Sequence, residues 1–209
     1  MSRSRGRPIQ RRSSGRPTNN FDAWSGLVTP IGILQIRCDR HGRLLETRWG
    51  RGRSPPRSAS TMLIGPGQRD GPRSPHHPVD RALYRYFQGD VTSLDRIPVV
   101  LHGTEFQLRV WTALRSILAG RTLSYSTLAR RLGCPAATRA VGGANAANPA
   151  SVVVPCHRLI GSNGSLVGYG GGLDRKRWLL QHELRHAHDG SGSSWSTPRQ
   201  DRRTARGKR

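Results

Sequence analysis

Residues 124–149 read "SYSTLARRLGCPAATRAVGGANAANP", and the punctuation of this stretch decides the fold class. Ser124 is placed to cap a helix that runs to Leu132, and Gly133 to end it. Cys134 and Pro135 open a further helix, Pro135 being suited to a first helical turn where a missing N–H costs nothing. That helix runs to Asn148, and Pro149 stops it. Two short helices about a tight glycine-containing turn outline a helix-turn-helix. The second helix is rich in Ala and Gly. Small residues let a helix approach something closely, which fits a DNA groove and fits equally a neighbouring helix.

Downstream the chain continues "VVVPCHRLIG" (152–161). Val152, Val153 and Val154 predict a short buried strand leading into Pro155, Cys156, His157 and Arg158. A free cysteine has a pKa of about 8.5, and an adjacent base or cation raises its thiolate fraction. His157 and Arg158 adjoin Cys156 in sequence. Neighbours on a strand point to opposite faces, so contact needs the chain to turn, which Pro155 favours. From the residues alone Cys156 reads as a small buried hydrophobe, a metal ligand or a nucleophile. No second or third ligand lies at a workable spacing for a metal, and no cofactor is implied. Beyond the cysteine, "GSNG" (161–164) is a turn and "SLVGYGGG" (165–172) a glycine-rich loop. "LDRKRWLLQHE" (173–183) is a last helix with Trp178 and Leu179 facing inward.

Upstream, Thr104 with Gln107 forms a capping box for a helix that Gly120 stops. Phe106, Val110, Trp111, Leu114, Ile117 and Leu118 make its apolar stripe. "IPVVLHG" (97–103) is an extended connector. Asp80 to Gln88 is a short helix with Leu83, Tyr84 and Phe87 on one face, ended by Gly89. Residues 26–49 read as a two-stranded hairpin turned by "DRHG". Residues 50–78, rich in Arg, Ser, Pro and Gly, read as a long loop. His76-His77 and His186-x-His188 sit in polar stretches and read as solvated.

Charge narrows the partner. The chain has 209 residues, 34% of them apolar, and a net charge of +23. Lys176 and Lys208 are the only lysines, so the charge is carried by arginine. Residues 1–20 contribute +6, residues 186–209 contribute +4, and about +13 remains on residues 21–185. Such a balance calls for a polyanion, nucleic acid before an anionic membrane surface. The cysteines are Cys38, Cys134 and Cys156: an odd number, widely spaced, with no disulfide framework and no C-x-x-C pair. No apolar run is long enough to cross a membrane. The N-terminus reads as a disordered basic arm in preference to a transit peptide, and the cytoplasm is the expected compartment. The expected organisation is α+β: a basic arm over 1–20, then a small antiparallel sheet with a helix over 21–98, interrupted at 50–78. A mainly helical domain with the helix-turn-helix follows over 102–185, and a basic tail over 186–209.

Residues 139–183, "RAVGGANAANPASVVVPCHRLIGSNGSLVGYGGGLDRKRWLLQHE", strongly resemble the O6-alkylguanine-DNA alkyltransferases, most of all bacterial members without a structural zinc. The likeness runs well from Thr104 to Glu183 and weakly from Gly26 to Gln88. It implies a protein that transfers an alkyl group, once and irreversibly, from guanine O6 (and O4-alkylthymine as a further substrate) to its own cysteine. By the match Cys156 is the nucleophile, His157 its base through a water, and Glu183 the group that orients the histidine. Tyr125 would assist protonation of the leaving base, and Lys176 would add positive charge near the thiolate. The partner is double-stranded DNA bearing the lesion, which must be swung out of the stack, and the protein is expected to act as a monomer away from membranes. The helix carrying Ala140, Gly142, Gly143 and Asn145 would enter the minor groove, with Arg139 filling the vacated stack. Asn148 would hold the turn before the active-site strand, beside Pro155 and Arg158. The loop with Tyr169 would wall the pocket, and the backbone N–H near Gly170 would recognise the base edge. A DNA-binding module without transfer and a cysteine hydrolase are the competing classes.

Overall fold

A computed structural model describes residues 24–50 and 77–187, with the backbone of residues 61–62. The expected basic arm, most of the 50–78 stretch, His76 and the tail beyond Ala187 lie outside the described residues.

The first unit is a small sheet. Strands β1 (Trp24–Thr29), β2 (Gly32–Cys38) and β3 (Leu44–Trp49) form an antiparallel meander, and β4 (Thr61–Met62) pairs in parallel with β1, giving the order β3-β2-β1-β4. The single expected hairpin is therefore two hairpins. Pro30 and Ile31 make the extra turn, closed where the Thr29 hydroxyl donates to Gly32 O at 2.6 Å, and Gly32 takes φ +117°, a conformation open to glycine. Within the 50–78 stretch, read as a loop throughout, residues 61–62 add a strand. Leu27, Leu34, Ile36 and Leu44 turn inward and are essentially buried.

Helix α1 (Pro78–Phe87) covers that inner face. It starts two residues earlier than the pattern implied because Pro78 enters its first turn and His77 is its cap, accepting from Val79 N at 3.2 Å. His77 is thus a cap, not a solvated side chain. The buried face holds Val79, Leu83, Tyr86 and Phe87, with Tyr84 only partly covered, so the tyrosine that faces inward is Tyr86.

The remainder is helical. In α2 (Glu105–Arg115) the Thr104–Gln107 capping box is present in both directions. Thr104→Ala should lower unfolding free energy by about 1 kcal/mol, read from the denaturant midpoint at unchanged slope. The helix stops at Arg115, short of Gly120, and Leu118, placed on its apolar stripe by the sequence, is 71% exposed. Val110, Trp111 and Leu114 carry the packing instead, each worth about 1.5–3 kcal/mol of burial. Strand β5 (Leu123–Ser124) precedes α3 (Tyr125–Arg131), where Ser124 accepts from Thr127 N at 3.1 Å and Gly133 closes the turn at φ +76°. A 3-10 turn over Pro135–Ala137 leads into α4 (Thr138–Ala146). The helix-turn-helix is formed by α3 and α4, packed on α2, whose Trp111 indole donates to Ala144 O at 2.8 Å. A 3-10 turn over Cys156–Arg158, strand β6 (Leu159–Ile160), parallel to β5, and helix α5 (Leu173–His186) complete the chain. No helix among the described residues is long and apolar enough to cross a membrane.

Candidate active site

The segment before Cys156 is buried as expected but is not a strand. Val152 sits at φ +74°, a strained conformation for a β-branched residue that costs on the order of 1–3 kcal/mol and recurs at functional sites. The turn is held from Asn148, whose amide nitrogen donates to Val154 O at 2.8 Å and whose amide oxygen accepts from Ala150 N at 3.0 Å. Val154 N also donates to Ala150 O at 2.8 Å. The sheet braces it: Thr47 N donates to Pro149 O and the Thr47 hydroxyl to Ser151 O, each at 2.8 Å. Pro155 then starts the 3-10 turn that carries Cys156, His157 and Arg158, all buried.

Behind the cysteine lies a charged network closed to solvent. His157 and Glu183 are 0% exposed, and His157 Nε2 sits 2.9 Å from Glu183 Oε1. Arg158 grips the same carboxylate from two nitrogens, Nη2 to Oε1 at 2.8 Å and Nε to Oε2 at 3.0 Å, and its Nη1 donates to Ile117 O. Gly120 N donates to Oε2 at 3.3 Å and the Tyr86 hydroxyl to Oε1 at 2.8 Å. Burial alone would raise the Glu183 carboxyl, but His157 and Arg158 together hold it far below the usual carboxylate range. Burial pushes His157 down, against the pull of Glu183, so its imidazole rests neutral. With Nε2 directed at a carboxylate it carries the proton there, and buried Nδ1, with no partner among the described residues, is left as the base.

Cys156 behaves otherwise than its neighbours in sequence suggest. Burial pushes its thiol up, and hydrogen bonds from Asn148 and Ser151 and the charge of Lys176 offset this only in part. Arg158 does not contribute to that offset because its guanidinium is committed to Glu183. The resting pair is a neutral thiol and a neutral imidazole, poised to exchange one proton. Lys176, fully buried, is pushed down to about 8 by burial and donates to Leu159 O and Val167 O, both at 2.5 Å.

A cleft of about 380 Å³ is lined by Tyr125, Thr138, Arg139, Gly142, Val167 and Gly168, among others, and Tyr125 links it to Cys156 and Lys176. Tyr125 places its hydroxyl 3.4 Å from both Val167 O and Gly168 O; burial and then Cys156 raise its phenol, so it remains a proton donor. Arg139 and Ala140 are exposed, and nothing lies within 4 Å of a side chain built at Gly142 or Gly143. Gly142 and Gly143 are therefore not needed for packing inside the protein, whereas Ala144 is buried against α2. Asn145 departs from the expected DNA-facing set: it is buried, its amide donating to the Tyr125 hydroxyl at 3.4 Å. From the glycine-rich loop, Tyr169 turns inward, accepting from the Trp49 indole at 3.1 Å with its ring 6.4 Å from that of His157. Gly170 is exposed with open space beside it. No group of three or more potential metal ligands exists among the described residues. Tyr86 and Trp49 escaped the sequence reading, since neither carries a local motif.

Comparison with known proteins places this geometry. Residues 105–185 match a family model described as 6-O-methylguanine DNA methyltransferase, DNA binding domain. A methylated-DNA–protein-cysteine methyltransferase of Salmonella typhimurium is 44% identical over 161 residues, covering 75% of this chain and 92% of that protein. The chain belongs to the methylated-DNA–protein-cysteine methyltransferase family. A second member, from Mycolicibacterium paratuberculosis, is 51% identical over 121 residues, covering 58% of this chain and 72% of that protein. The crystal structure of Mycobacterium tuberculosis OGT in complex with DNA superposes with a TM-score of 0.61 at 35% identity, covering 78% of this chain and 93% of that one. The coverage extends the likeness into the N-terminal sheet, where the sequence match by motif was weak.

Proposed function

We propose that this family member repairs O6-alkylguanine in double-stranded DNA by moving the alkyl group to Cys156, one group per molecule. The observation that carries the reading is that Tyr125, which lines a cleft bordered by Arg139 and Gly142 of α4, interacts electrostatically with buried Cys156, whose neighbour His157 is held by Glu183. A duplex cannot offer guanine O6 to a buried sulfur, so the base must leave the stack. The folded body attracts phosphate through its net positive charge, and α4 can approach the groove because Gly142 and Gly143 leave room.

Transfer is an in-line displacement at carbon. The Cys156 thiol gives its proton through a water to His157 Nδ1, and Glu183 stabilises the imidazolium. The sulfur forms a bond to the alkyl carbon as the carbon–O6 bond breaks, and its electron pair passes to the guanine. Tyr125 donates toward the leaving base, so the net exchange is a thiol proton for an alkyl group: thioether and guanine are formed. Lys176 supports the developing thiolate while it keeps its proton. No metal or cofactor is required by this exchange. Intact mass after exposure to an O6-methylguanine duplex tests the reading; an unmodified protein sinks it, and product formed beyond one equivalent would make the protein a hydrolase instead. We place the protein in the cytoplasm with the DNA it repairs.

Arg139 lines the same cleft as Tyr125. If it fills the gap left by the extruded base, Arg139→Ala should slow transfer from duplex roughly tenfold or more, since unstacking costs a few kcal/mol. Attack on free O6-benzylguanine should change far less. Equal losses on the two substrates would remove Arg139 from base extrusion.

A further inference from the structure

Among the described residues, one side chain of the N-terminal sheet unit reaches Glu183. Tyr86, on α1, is 0% exposed, and its hydroxyl donates to Oε1 at 2.8 Å. The same oxygen faces His157 Nε2 at 2.9 Å and Arg158 Nη2 at 2.8 Å. We propose that Tyr86 is a positioning residue for alkyl transfer: its O–H sets how much of the Glu183 charge is available to His157, and so how readily His157 takes the thiol proton. This rests on the transfer chemistry proposed above.

The direction of the hydrogen bond is fixed by its surroundings. A carboxylate only accepts, and burial followed by the Glu183 charge keeps the Tyr86 phenol protonated. The ring cannot swing away. It packs edge-on against Phe87 with centroids 5.2 Å apart, and the Tyr86 carbonyl is held by His182 Nε2 at 2.7 Å. A donor on a carboxylate lowers its basicity and weakens its hold on an imidazolium. Other titratable or charged groups face this network: Arg158 on the 3-10 turn, Lys176 and His182 on α5, and Tyr169 on the glycine-rich loop. Of the described side chains bonded to the carboxylate, Tyr86 alone tunes it without carrying or exchanging charge. α1 thereby supports the proton relay as well as covering the sheet.

The test is the pH dependence of single-turnover transfer from free O6-benzylguanine to Cys156 in the full chain. Three proteins are compared: wild type, Tyr86→Phe, and the protein with 3,5-difluorotyrosine at position 86. Tyr86→Phe frees the carboxylate, strengthens the imidazolium and so raises the pH at which His157 is lost as a base, which should move the acid limb of the profile to higher pH by about half a unit or more. The fluorinated hydroxyl is a stronger donor of nearly the same size and should move the limb the opposite way. A role confined to packing predicts slower or less stable protein with the limb unmoved, and that result, or two shifts of the same sign, overturns the proposal. Should Tyr86→Phe fail to fold, the fluorinated protein decides alone. A wild type that takes up no benzyl group condemns the transfer reading and is distinguished at once from failure of this inference.

Discussion

Cys156→Ala should abolish alkyl transfer while leaving lesion binding intact. Wild-type protein exposed to an O6-methylguanine duplex should gain the mass of one CH₂ on the peptide containing Cys156, and no more on longer exposure. The variant should gain nothing. The expectation follows from geometry. Cys38, the half-buried thiol of β2, is pushed up to about 12 by burial, then by Asp80 and Asp39, which makes it a poor nucleophile. Cys134, also half-buried, lies at the turn between α3 and α4, with no imidazole–carboxylate pair described beside it. Cys38 does meet an imidazole, His77 Nδ1 at 3.8 Å, but burial and the carboxylates beside it hold its thiol up, whereas Cys156 is followed in the 3-10 turn by His157, whose imidazole is backed by the ionised Glu183 carboxylate. The resting thiol is neutral, so the proton must move during the reaction, and the rate should rise with pH until His157 is no longer needed as acceptor. Affinity for the lesion does not depend on sulfur ionisation and should be unchanged in a filter-binding or anisotropy assay. A mass gain that survives Cys156→Ala would relocate the nucleophile. A wild type that binds the lesion and stays unmodified would make the protein a recognition module.

The sequence exposes this site unevenly, for physical reasons that differ by residue. The helix-turn-helix is legible because its signals are local: Ser124 caps with its own hydroxyl, and Gly133 adopts the left-handed conformation the turn needs. The strand assigned to Val152–Val154 fails because β-branched preference is weak against tertiary hydrogen bonds. The Asn148 side chain and the Thr47 edge of the sheet fold those valines into a turn. The inward face of α1 is misread by starting the helix at Asp80. With Pro78 and Val79 included, Val79, Leu83, Tyr86 and Phe87 fall on one face and Tyr84 does not. A "TPIG" turn with Pro second and Gly last was open to reading at residues 29–32 and would have divided the hairpin in two. The Arg158–Glu183 pair, 25 residues apart, has no local signature, because charged residues are on the surface unless paired and nothing in either helix or turn names the partner. The family resemblance supplied the His157–Glu183 link. It supplied neither Arg158 nor Tyr86 as partners of that carboxylate.

That pair carries the largest stability effect expected of any single side chain here. Glu183 is 0% exposed and Arg158 is 4% exposed, and each meets the other through two oxygens and two nitrogens. Removing one partner leaves a buried charge with no counter-charge, so Glu183→Gln and Arg158→Met should each cost about 3–5 kcal/mol in denaturant unfolding. The double variant removes both charges and should be more stable than either single, since it strands no buried charge and the desolvation cost of the pair, which offsets much of its attraction, disappears with it. Additive losses in the cycle would mean that the two side chains do not act as a pair. Transfer behaves differently. In Glu183→Gln the side-chain amide still accepts a hydrogen bond from His157 but offers no negative charge to the imidazolium. Neither Glu183→Gln nor the double variant should therefore transfer at a useful rate, however well the double variant folds. Acid unfolding separates the two effects further. The Glu183 carboxyl is depressed in the folded protein, so its stabilisation is complete above its unfolded pKa of about 4.3 and is lost as pH falls below that. Wild-type protein should lose stability steeply on acidification, Glu183→Gln should show a flatter profile, and profiles of equal slope would mean that the carboxylate is not the group that makes the fold sensitive to acid.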